Sequence, residues 1–316
     1  QPGYLALRDI VSERTTSLIA FVGAGLSRKA GLPTWHELKA HLIKLLQSKA
    51  NVLDSEEVKR LHGMGDSIDR NQNLWVAFEM LREALGHESF RSEIKRVFAP
   101  AVRIAAPKEY CDLFALRLSG IITANIDRLA TKAFIHTHGS LLPIEFCGFN
   151  CGAYSHVLQE LRPFILNLHG THEQEESWVF THSRLSELQH TRGYKELLKA
   201  VFMTRTVIFT GITVDDIAVG GHLEALTELG INGGGHYWIT DHGDAQADRW
   251  AEKNGVRLIK YSSHDGDHSE LGEMLCDLKR YVPPEQSAAP VEPHFTQPTL
   301  DIRPVDELLR ERHYDV

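Results

Sequence analysis

The stretch FVGAGLS at residues 21–27 ends an apolar run and is almost free of large polar side chains. Gly23 and Gly25 flank Ala24, and Ser27 then begins a polar segment. Glycines let the main chain come close to another group, and N–H groups that follow a buried strand suit an anion such as a phosphate. The stretch therefore predicts either a phosphate-binding loop or a tight turn from strand to helix.

The surroundings of this loop narrow the class of nucleotide site. The third glycine of the usual dinucleotide fingerprint is missing because Arg28 stands there, and residues 40–46, AHLIKLL, offer no acid to hold a ribose. No Gly-Lys-Ser or Gly-Lys-Thr follows, which excludes a P-loop. An ordinary dehydrogenase is disfavoured.

Short apolar runs alternate with amphipathic stretches, which is typical of a parallel sheet with crossover helices. The runs predict strands at residues 17–23, 119–124, 163–169, 205–211, 236–240 and 256–261. Because most are apolar throughout, we expect them to be covered on both faces. We therefore predict an α/β, Rossmann-like parallel sheet with helices on both faces.

A long helical region, about residues 34–117, separates the first two predicted strands and is too long for a simple crossover. We expect it to be an inserted helical subdomain within a catalytic domain at 1–282. Half of the 12 prolines lie in residues 283–316, which predicts an extended arm ending in a short helix, VDELLRER.

Composition and charge limit the partners of this 316-residue chain. The net charge of −8 makes direct nucleic-acid binding a poor expectation, since phosphate backbones require clustered Lys and Arg. No apolar run approaches the roughly 20 residues that span a bilayer, and no signal peptide is recognisable, so we expect no membrane contact and a cytoplasmic protein. Cys147 and Cys151 lack a second cysteine pair, so no structural zinc is expected.

Polar residues follow two other predicted strands. Asn125 and Asp127 come after the second strand and His169 ends the third, at the edge where α/β sheets bind ligands. Asp127 reads equally as a helix N-cap, and a single histidine is often structural. Asn125 is a buried amide that needs partners, and a ligand hydroxyl or a water would supply them.

Five short motifs in order carry a resemblance to a known family: GAGLS (23–27), AGLPTW (30–35), TANID (123–127), LHG (168–170) and FTGITVDD (209–216). Together they resemble the silent information regulator family, the sirtuins. More narrowly, they resemble bacterial sirtuin-like domains that hydrolyse NAD in antiphage defence. The chain departs from the deacylases, which have Gly-Ile-Pro-Asp-Phe-Arg where residues 31–36 read GLPTWH, and which carry two zinc-binding cysteine pairs.

The resemblance implies a role for each matching residue. The loop residues Gly23, Ala24, Gly25 and Ser27 would cradle the NAD phosphates, and His169 would be the catalytic histidine. Asn125 and Asp127 would flank the nicotinamide ribose, also as catalytic residues. The remaining residues implied to bind NAD are Thr123, Gly211, Thr213 and Thr240.

We therefore expect an NAD-cleaving hydrolase for which NAD is the substrate. Two alternatives stay open: an NAD-dependent protein deacylase, and a non-catalytic module that binds NAD or ADP-ribose as a regulator or scaffold. An enzyme that empties its own cell of NAD needs restraint, so we expect a homo-oligomer or control by a partner such as a ring-shaped ATPase.

Overall fold

A computed structural model describes residues 1–49, 55–139, 141–160, 162–212, 235–241, 245–263 and 268–284. The strands are β1 Leu18–Val22, β2 Gly120–Thr123, β3 Ile144–Cys147, β4 Phe164–Asn167, β5 Thr206–Thr210, β6 His236–Thr240 and β7 Val256–Lys260. The helices before β2 are α1 Pro2–Glu13, α2 Ala24–Arg28, α3 Trp35–Ser48, α4 Ser55–Arg70, α5 Leu74–Leu85, α6 His87–Phe98 and α7 Lys108–Ala115. Those after β2 are α8 Leu129–His138, α9 His182–His190, α10 Tyr194–Thr204, α11 Ala245–Lys253 and α12 Ser269–Lys279.

The seven strands form one sheet in the order β3-β4-β2-β1-β5-β6-β7, and every pairing is parallel. The prediction of a Rossmann-like α/β sheet is confirmed, and all six predicted strands are present. The sequence analysis missed β3, which lies at an edge of the sheet. Pro143 and Glu145 interrupt its apolar pattern, and Glu145 accepts hydrogen bonds from Arg128 beside the sheet.

Alternate residues of each central strand belong to different cores. In β1, Ala20 and Val22 pack into one core, and Ile19 and Phe21 pack into the other. All five residues of β1 are buried. The uniformly apolar strands therefore reflect a sheet that is covered on both faces, as predicted.

Most of the region from residue 34 to 117 lies in helices α3 to α7, and residues 50–54 lie outside the described residues. Helix α3 begins with a capping box, in which Thr34 Oγ1 accepts from the N–H of Glu37 and Glu37 accepts from the N–H of Thr34. Leu42 of α3 and Phe78 of α5 belong to the same core as Val22 of the sheet. The inserted helices thus share a core with one face of the sheet, and α3 brings Trp35 beside the strand ends.

Residues Gln1–Val282 form one compact unit. The predicted C-terminal helix, VDELLRER, lies outside the described residues, so the arm at 283–316 stays a prediction.

Glycines join the loop after β1 to the loop after β5. The N–H of Gly25 donates to Gly211 O over 2.9 Å, and the N–H of Gly23 donates to Thr210 O over 3.1 Å. A Cβ on Gly25 would lie 2.9 Å from Gly211 Cα, and one on Gly23 would lie 2.5 Å from Gly211 O. Gly211 itself has a φ of 65°, which favours glycine. These glycines are therefore required for contact between two loops.

We predict that Gly25→Ala lowers the free energy of unfolding by about 1–3 kcal/mol, because the new methyl group overlaps Gly211. Gly63→Ala is the matched control, since Gly63 lies in α4 and a Cβ added there would meet no atom within 4 Å. The control should be neutral or stabilising by up to about 1 kcal/mol. Urea denaturation measures both, and a Gly25→Ala protein as stable as the wild type would contradict the assigned packing.

Candidate functional site

The carboxyl ends of the central strands bring together most of the polar residues that the sequence analysis selected. Asn125 follows β2, His169 follows β4 and Gly211 follows β5, while Thr240 is the last residue of β6. Because all these strands run parallel, the four positions lie at one edge of the sheet.

Asn125 lies beneath the loop that follows β1. Its Nδ2 is 2.9 Å from Gly23 O, 3.0 Å from Ser27 Oγ and 3.0 Å from Tyr110 OH. Its main-chain N–H donates to Thr123 Oγ1 over 3.0 Å. The amide nitrogen therefore ties β2 to the first loop, and Asn125 Oδ1 is left buried without a partner among the described residues.

Ser27 points into the protein rather than out of the loop. It is buried, and its Oγ lies 3.1 Å from the hydroxyl of Tyr110. Tyr110 is in turn fully buried, which raises the pKa of its phenol. Ser27 and Tyr110 thus form a buried hydroxyl pair that orients the Asn125 amide.

Asp127 is buried at the start of α8. Its Oδ1 accepts from the N–H of Leu129, the first residue of α8, over 2.9 Å. Arg128 between them adopts a left-handed conformation with φ 58°. Burial raises the pKa of Asp127, and the helix N–H bond acts in the opposite direction. The Asp127 carboxylate therefore satisfies the first N–H of α8 from the position before the N-cap residue, which is Arg128.

His169 is fully buried, and its hydrogen bond defines its tautomer. Nδ1 lies 3.1 Å from Ala124 O, and a carbonyl can only accept, so Nδ1 carries the proton. Nε2 is then an unprotonated acceptor, buried without a partner among the described residues. Burial lowers the pKa of His169 to about 4, so the ring is neutral near pH 7.

Two buried acceptors therefore lie at adjoining strand ends. His169 bonds to Ala124, the residue directly before Asn125, and both Asn125 Oδ1 and His169 Nε2 lack a hydrogen donor among the described residues. A buried polar atom without a partner is costly, and such atoms are usually satisfied by water or ligand. Acceptors of this kind suit a molecule that is rich in hydroxyl groups.

A cavity of about 280 Å³ opens beside these residues, above the ends of β1, β5 and β6. The strands β2 to β4 lie on one side of β1, and β5 to β7 lie on the other. The cavity is next to this change of side, which is the usual ligand position in open α/β sheets. Its lining includes Ala24, Gly25, Gly211 and Thr240 among the predicted residues. We call this space the nucleotide cleft, after the ligand that the motif resemblance implies for it.

The polar groups of the nucleotide cleft carry both charges. Lys29 Nζ lies 2.6 Å from Glu109, and Arg28 lies 3.2 Å from Glu37. Asp241, directly after β6, also lines the cleft and accepts a hydrogen bond from Ser263 over 3.2 Å. The cations suit an anionic group of a ligand, and the carboxylate can accept hydrogen bonds from hydroxyl groups of the same ligand.

Trp35 separates the nucleotide cleft from His169. It lines the cleft, and its ring centroid is 5.7 Å from that of His169. Trp75 contacts the same imidazole with centroids 5.1 Å apart, and Phe180 packs on Trp35 at 5.1 Å. In this conformation, the aromatic side chains seal His169 from the cleft.

The predicted site residues therefore fall into two groups. Four line the nucleotide cleft, and the others described lie beneath the loop or behind Trp35: Gly23, Ser27, Thr123, Asn125, Asp127 and His169. Thr213 lies outside the described residues. Gly25 lines the cleft, yet its N–H is already bonded to Gly211 O, so the expectation of a free N–H there is wrong.

Sequence reasoning missed several contributors to the site. Tyr110, Trp35 and Trp75 reach it from inserted helices, and Asp241 reaches it from the end of β6. Trp35 carried a signal, since it stands in the motif that departs from the deacylase pattern. The dinucleotide fingerprint has an acidic residue that residues 40–46 lack. Asp241 supplies a carboxylate to the site from a different position, the end of β6.

No group of three or more His, Cys, Asp or Glu side chains that could hold a metal occurs in the part of the chain that the structure describes. Cys147 and Cys151 are buried free thiols.

Among the residues that the structure describes, no helix combines the length and apolar character required to cross a membrane.

We predict that His169 makes the fold acid-sensitive. The pKa of His169 is about 4 in the folded chain against an ordinary 6.5, so between these values the unfolded chain binds one more proton at this residue. Stability from this group is complete above pH 6.5 and falls as the pH decreases towards 4. His169→Gln should remove about 1.4 kcal/mol per pH unit of that slope.

Urea denaturation between pH 4 and 7 measures this slope. His136→Gln is the control, because His136 is exposed. Equal slopes in the wild type and His169→Gln would contradict a buried neutral imidazole.

Comparison with known proteins bears on this site. Residues 119–259 match the model of the SIR2-like domain family. The match begins one residue before β2 and ends within β7, so it includes Asn125, His169 and Gly211. No curated protein matches the chain.

Two structures of Sir2 homologues are among the solved structures similar to this chain. One is a triple mutant of a Sir2 homologue in complex with 2'-O-acetyl ADP ribose, 13% identical with a TM-score of 0.48, covering 89% of this chain and 98% of that chain. The other is a single mutant of a Sir2 homologue in complex with ADP ribose, 15% identical with a TM-score of 0.44, covering 87% of this chain and 95% of that chain. A likeness at this level assigns neither an activity nor a ligand.

The family match includes the motifs TANID and LHG, and the sheet places both beside GAGLS at neighbouring strand ends. The match of residues 119–259 to the SIR2-like domain family agrees with the resemblance to the sirtuins that the motifs indicated.

Proposed function

We propose that this protein is an NAD glycohydrolase, which converts NAD⁺ and water into nicotinamide, ADP-ribose and a proton. The observation that carries the proposal is the pair of buried acceptors without partners among the described residues, Asn125 Oδ1 and His169 Nε2, inside a SIR2-like domain. A ribose and an attacking water bring the hydroxyl donors that both atoms lack.

The nucleotide cleft is proposed to bind the ADP-ribose half of NAD. Arg28 and Lys29 line it, and both are proposed to contact the pyrophosphate while paired with Glu37 and Glu109. Asp241 and Thr240, at the end of β6, line the same cleft and are proposed to form hydrogen bonds with the adenosine ribose hydroxyls. Thr213 remains a proposed adenosine-binding residue outside the described residues.

The reaction requires little covalent chemistry from the protein. The bond between ribose C1′ and the cationic nicotinamide nitrogen breaks with its electron pair moving to that nitrogen, which leaves positive charge on the ribose. Asn125 Oδ1 is proposed to orient a ribose hydroxyl or the water. Water then attacks C1′, and His169 Nε2 accepts its proton because Nδ1 is already protonated.

Substrate entry to His169 requires Trp35 to move. The ring of Trp35 lies between the nucleotide cleft and the imidazole in this conformation. Because burial is what lowers the pKa of His169, the same movement should raise that pKa towards its ordinary value. Displacement of Trp35 would thereby expose the base and strengthen it.

We predict that His169→Ala lowers the rate of NAD cleavage by about two to four orders of magnitude, since it removes the proton acceptor. His172→Ala is the matched control: His172 is also buried, and its Nδ1 bonds to the main-chain Ile126 O over 3.0 Å. The control should cleave NAD at close to the wild-type rate. The measurement is chromatographic separation of nicotinamide and ADP-ribose after incubation with NAD.

Other outcomes of that experiment would identify other functions. Equal loss in both variants would reject His169 as the base. Turnover of NAD only in the presence of an acylated peptide would indicate a deacylase. Binding of ADP-ribose without any turnover under all conditions would indicate a regulatory or scaffold module.

We further propose that NAD cleavage serves antiphage defence in a bacterial cytoplasm by depleting NAD. Support comes from the motif resemblance and from the sealed position of His169, which suits an enzyme that must be held inactive. Control is proposed to come from self-association or from a partner such as a ring-shaped ATPase.

We predict that the full chain forms a homo-oligomer and that a chain ending at Val282, the last residue of the compact unit, is less assembled. The proline-rich segment 283–316 is expected to lie across a neighbouring copy. Light scattering on both chains measures their masses. Monomers in both cases, with equal NAD cleavage, would reject control by assembly through this segment.

A further inference from the structure

A second cavity, of about 390 Å³, lies at the amino ends of the central strands, at the opposite edge of the sheet from the nucleotide cleft. Its lining includes Leu18, the first residue of β1, together with Ser119 before β2 and Arg205 before β5. Strand β1 has five residues, and a rise of about 3.3 Å per residue separates its amino end from its carboxyl end by roughly 16 Å. A ligand in this amino-edge cavity would therefore be a separate molecule from one in the cleft.

Three arginines line the amino-edge cavity: Arg14, Arg117 and Arg205. Arg14 and Arg117 form no side-chain hydrogen bond or ion pair with any residue that the structure describes. Arg205 donates to Leu158 O and Thr204 O, yet its Nε is buried without a partner among the same residues. The cavity thus presents unused guanidinium donors, and no Asp or Glu is among its described lining residues.

Hydroxyl groups complete this donor set. Five Ser and Thr residues line the cavity, and the side chains of Thr15, Ser17 and Ser119 form no hydrogen bond with described residues. Hydroxyls and guanidinium groups are the side chains that commonly hold phosphate oxygens.

A simpler explanation for the positions of the arginines is that they only stabilise helix ends, and the charges decide against it. Arg14 directly follows α1, Arg205 directly follows α10 and Arg117 comes two residues after α7, so each could act as a cation at a helix C-terminus. Each helix end carries about −0.5 charge, or about −1.5 for three. Three full positive charges exceed that sum, which leaves about +1.5 in the cavity for an anion.

We propose that the amino-edge cavity is a ligand site for the phosphate groups of a small phosphorylated molecule. Its volume lies within the roughly 300–1,000 Å³ of small-molecule sites. Two or more guanidinium groups can share the oxygens of a diphosphate through charge-assisted hydrogen bonds. The site does not depend on the proposed NAD cleavage.

Calorimetric titration of the full chain with inorganic pyrophosphate, and separately with orthophosphate, tests the proposal. We expect pyrophosphate to bind more tightly than orthophosphate and to weaken as salt is added. Arg14→Gln and Arg117→Gln should each weaken pyrophosphate binding by about tenfold or more, because each removes a charge-assisted bond. Arg103→Gln, at an exposed arginine outside the cavity, should leave the affinity unchanged.

A second set of measurements locates the bound anion. Lys29→Gln can weaken only anion binding in the nucleotide cleft, so Arg14→Gln and Arg117→Gln should lower pyrophosphate affinity by the same factor in the Lys29→Gln background. In NMR spectra, the Nε–H resonance of Arg205 should shift when pyrophosphate is added.

Three results would overturn the site. They are no binding at millimolar pyrophosphate, equal loss in Arg103→Gln and Arg117→Gln, and tighter binding of a hexaglutamate peptide than of pyrophosphate. The last would make the cavity a docking surface for an acidic protein segment.

Discussion

The contact between the loops after β1 and β5 is the constraint on which the site depends. Gly25 N–H bonds to Gly211 O, and neither glycine has room for a Cβ without overlap with the opposite loop. Gly25 and Gly211 both line the nucleotide cleft, so this contact forms part of its wall. It also places Gly23 O where Asn125 can donate to it, so the packing of two loops determines the orientation of a candidate catalytic amide.

The hydrogen bonds that His169 and Asn125 already form within the protein determine which of their atoms can bind a ligand. Ala124 O occupies His169 Nδ1, and the donors of the Asn125 amide are directed to Gly23, Ser27 and Tyr110. What remains is one acceptor on each side chain, buried and without a partner among the described residues. A neutral imidazole and an amide oxygen of this kind can bind a hydroxyl group or a water and take up a proton, which NAD hydrolysis requires. Trp35 and Trp75 pack against the imidazole in this conformation, and movement of Trp35 is the proposed condition for access to it.

Most of the strands, and the location of the site at their carboxyl ends, could be predicted from the sequence. Uniform apolar runs followed by polar residues reflect a parallel sheet that is buried on both faces. Strand β3 could not be predicted, since an edge strand tolerates Glu145 in place of an apolar residue. The positions of Tyr110 and Trp75 depend on how inserted helices pack on the sheet, which periodicity does not report. The glycine-rich loop resembles a phosphate cradle in its sequence, whereas in the fold Gly25 N–H is bonded to Gly211.

A crystal structure of the chain in complex with ADP-ribose would be the sharpest test of the proposed site. We expect ADP-ribose in the nucleotide cleft beside Gly25 and Gly211, with Trp35 displaced and His169 Nε2 within about 3 Å of a ribose hydroxyl or a bound water. ADP-ribose bound elsewhere, or bound with Trp35 still sealing His169, would contradict the proposal.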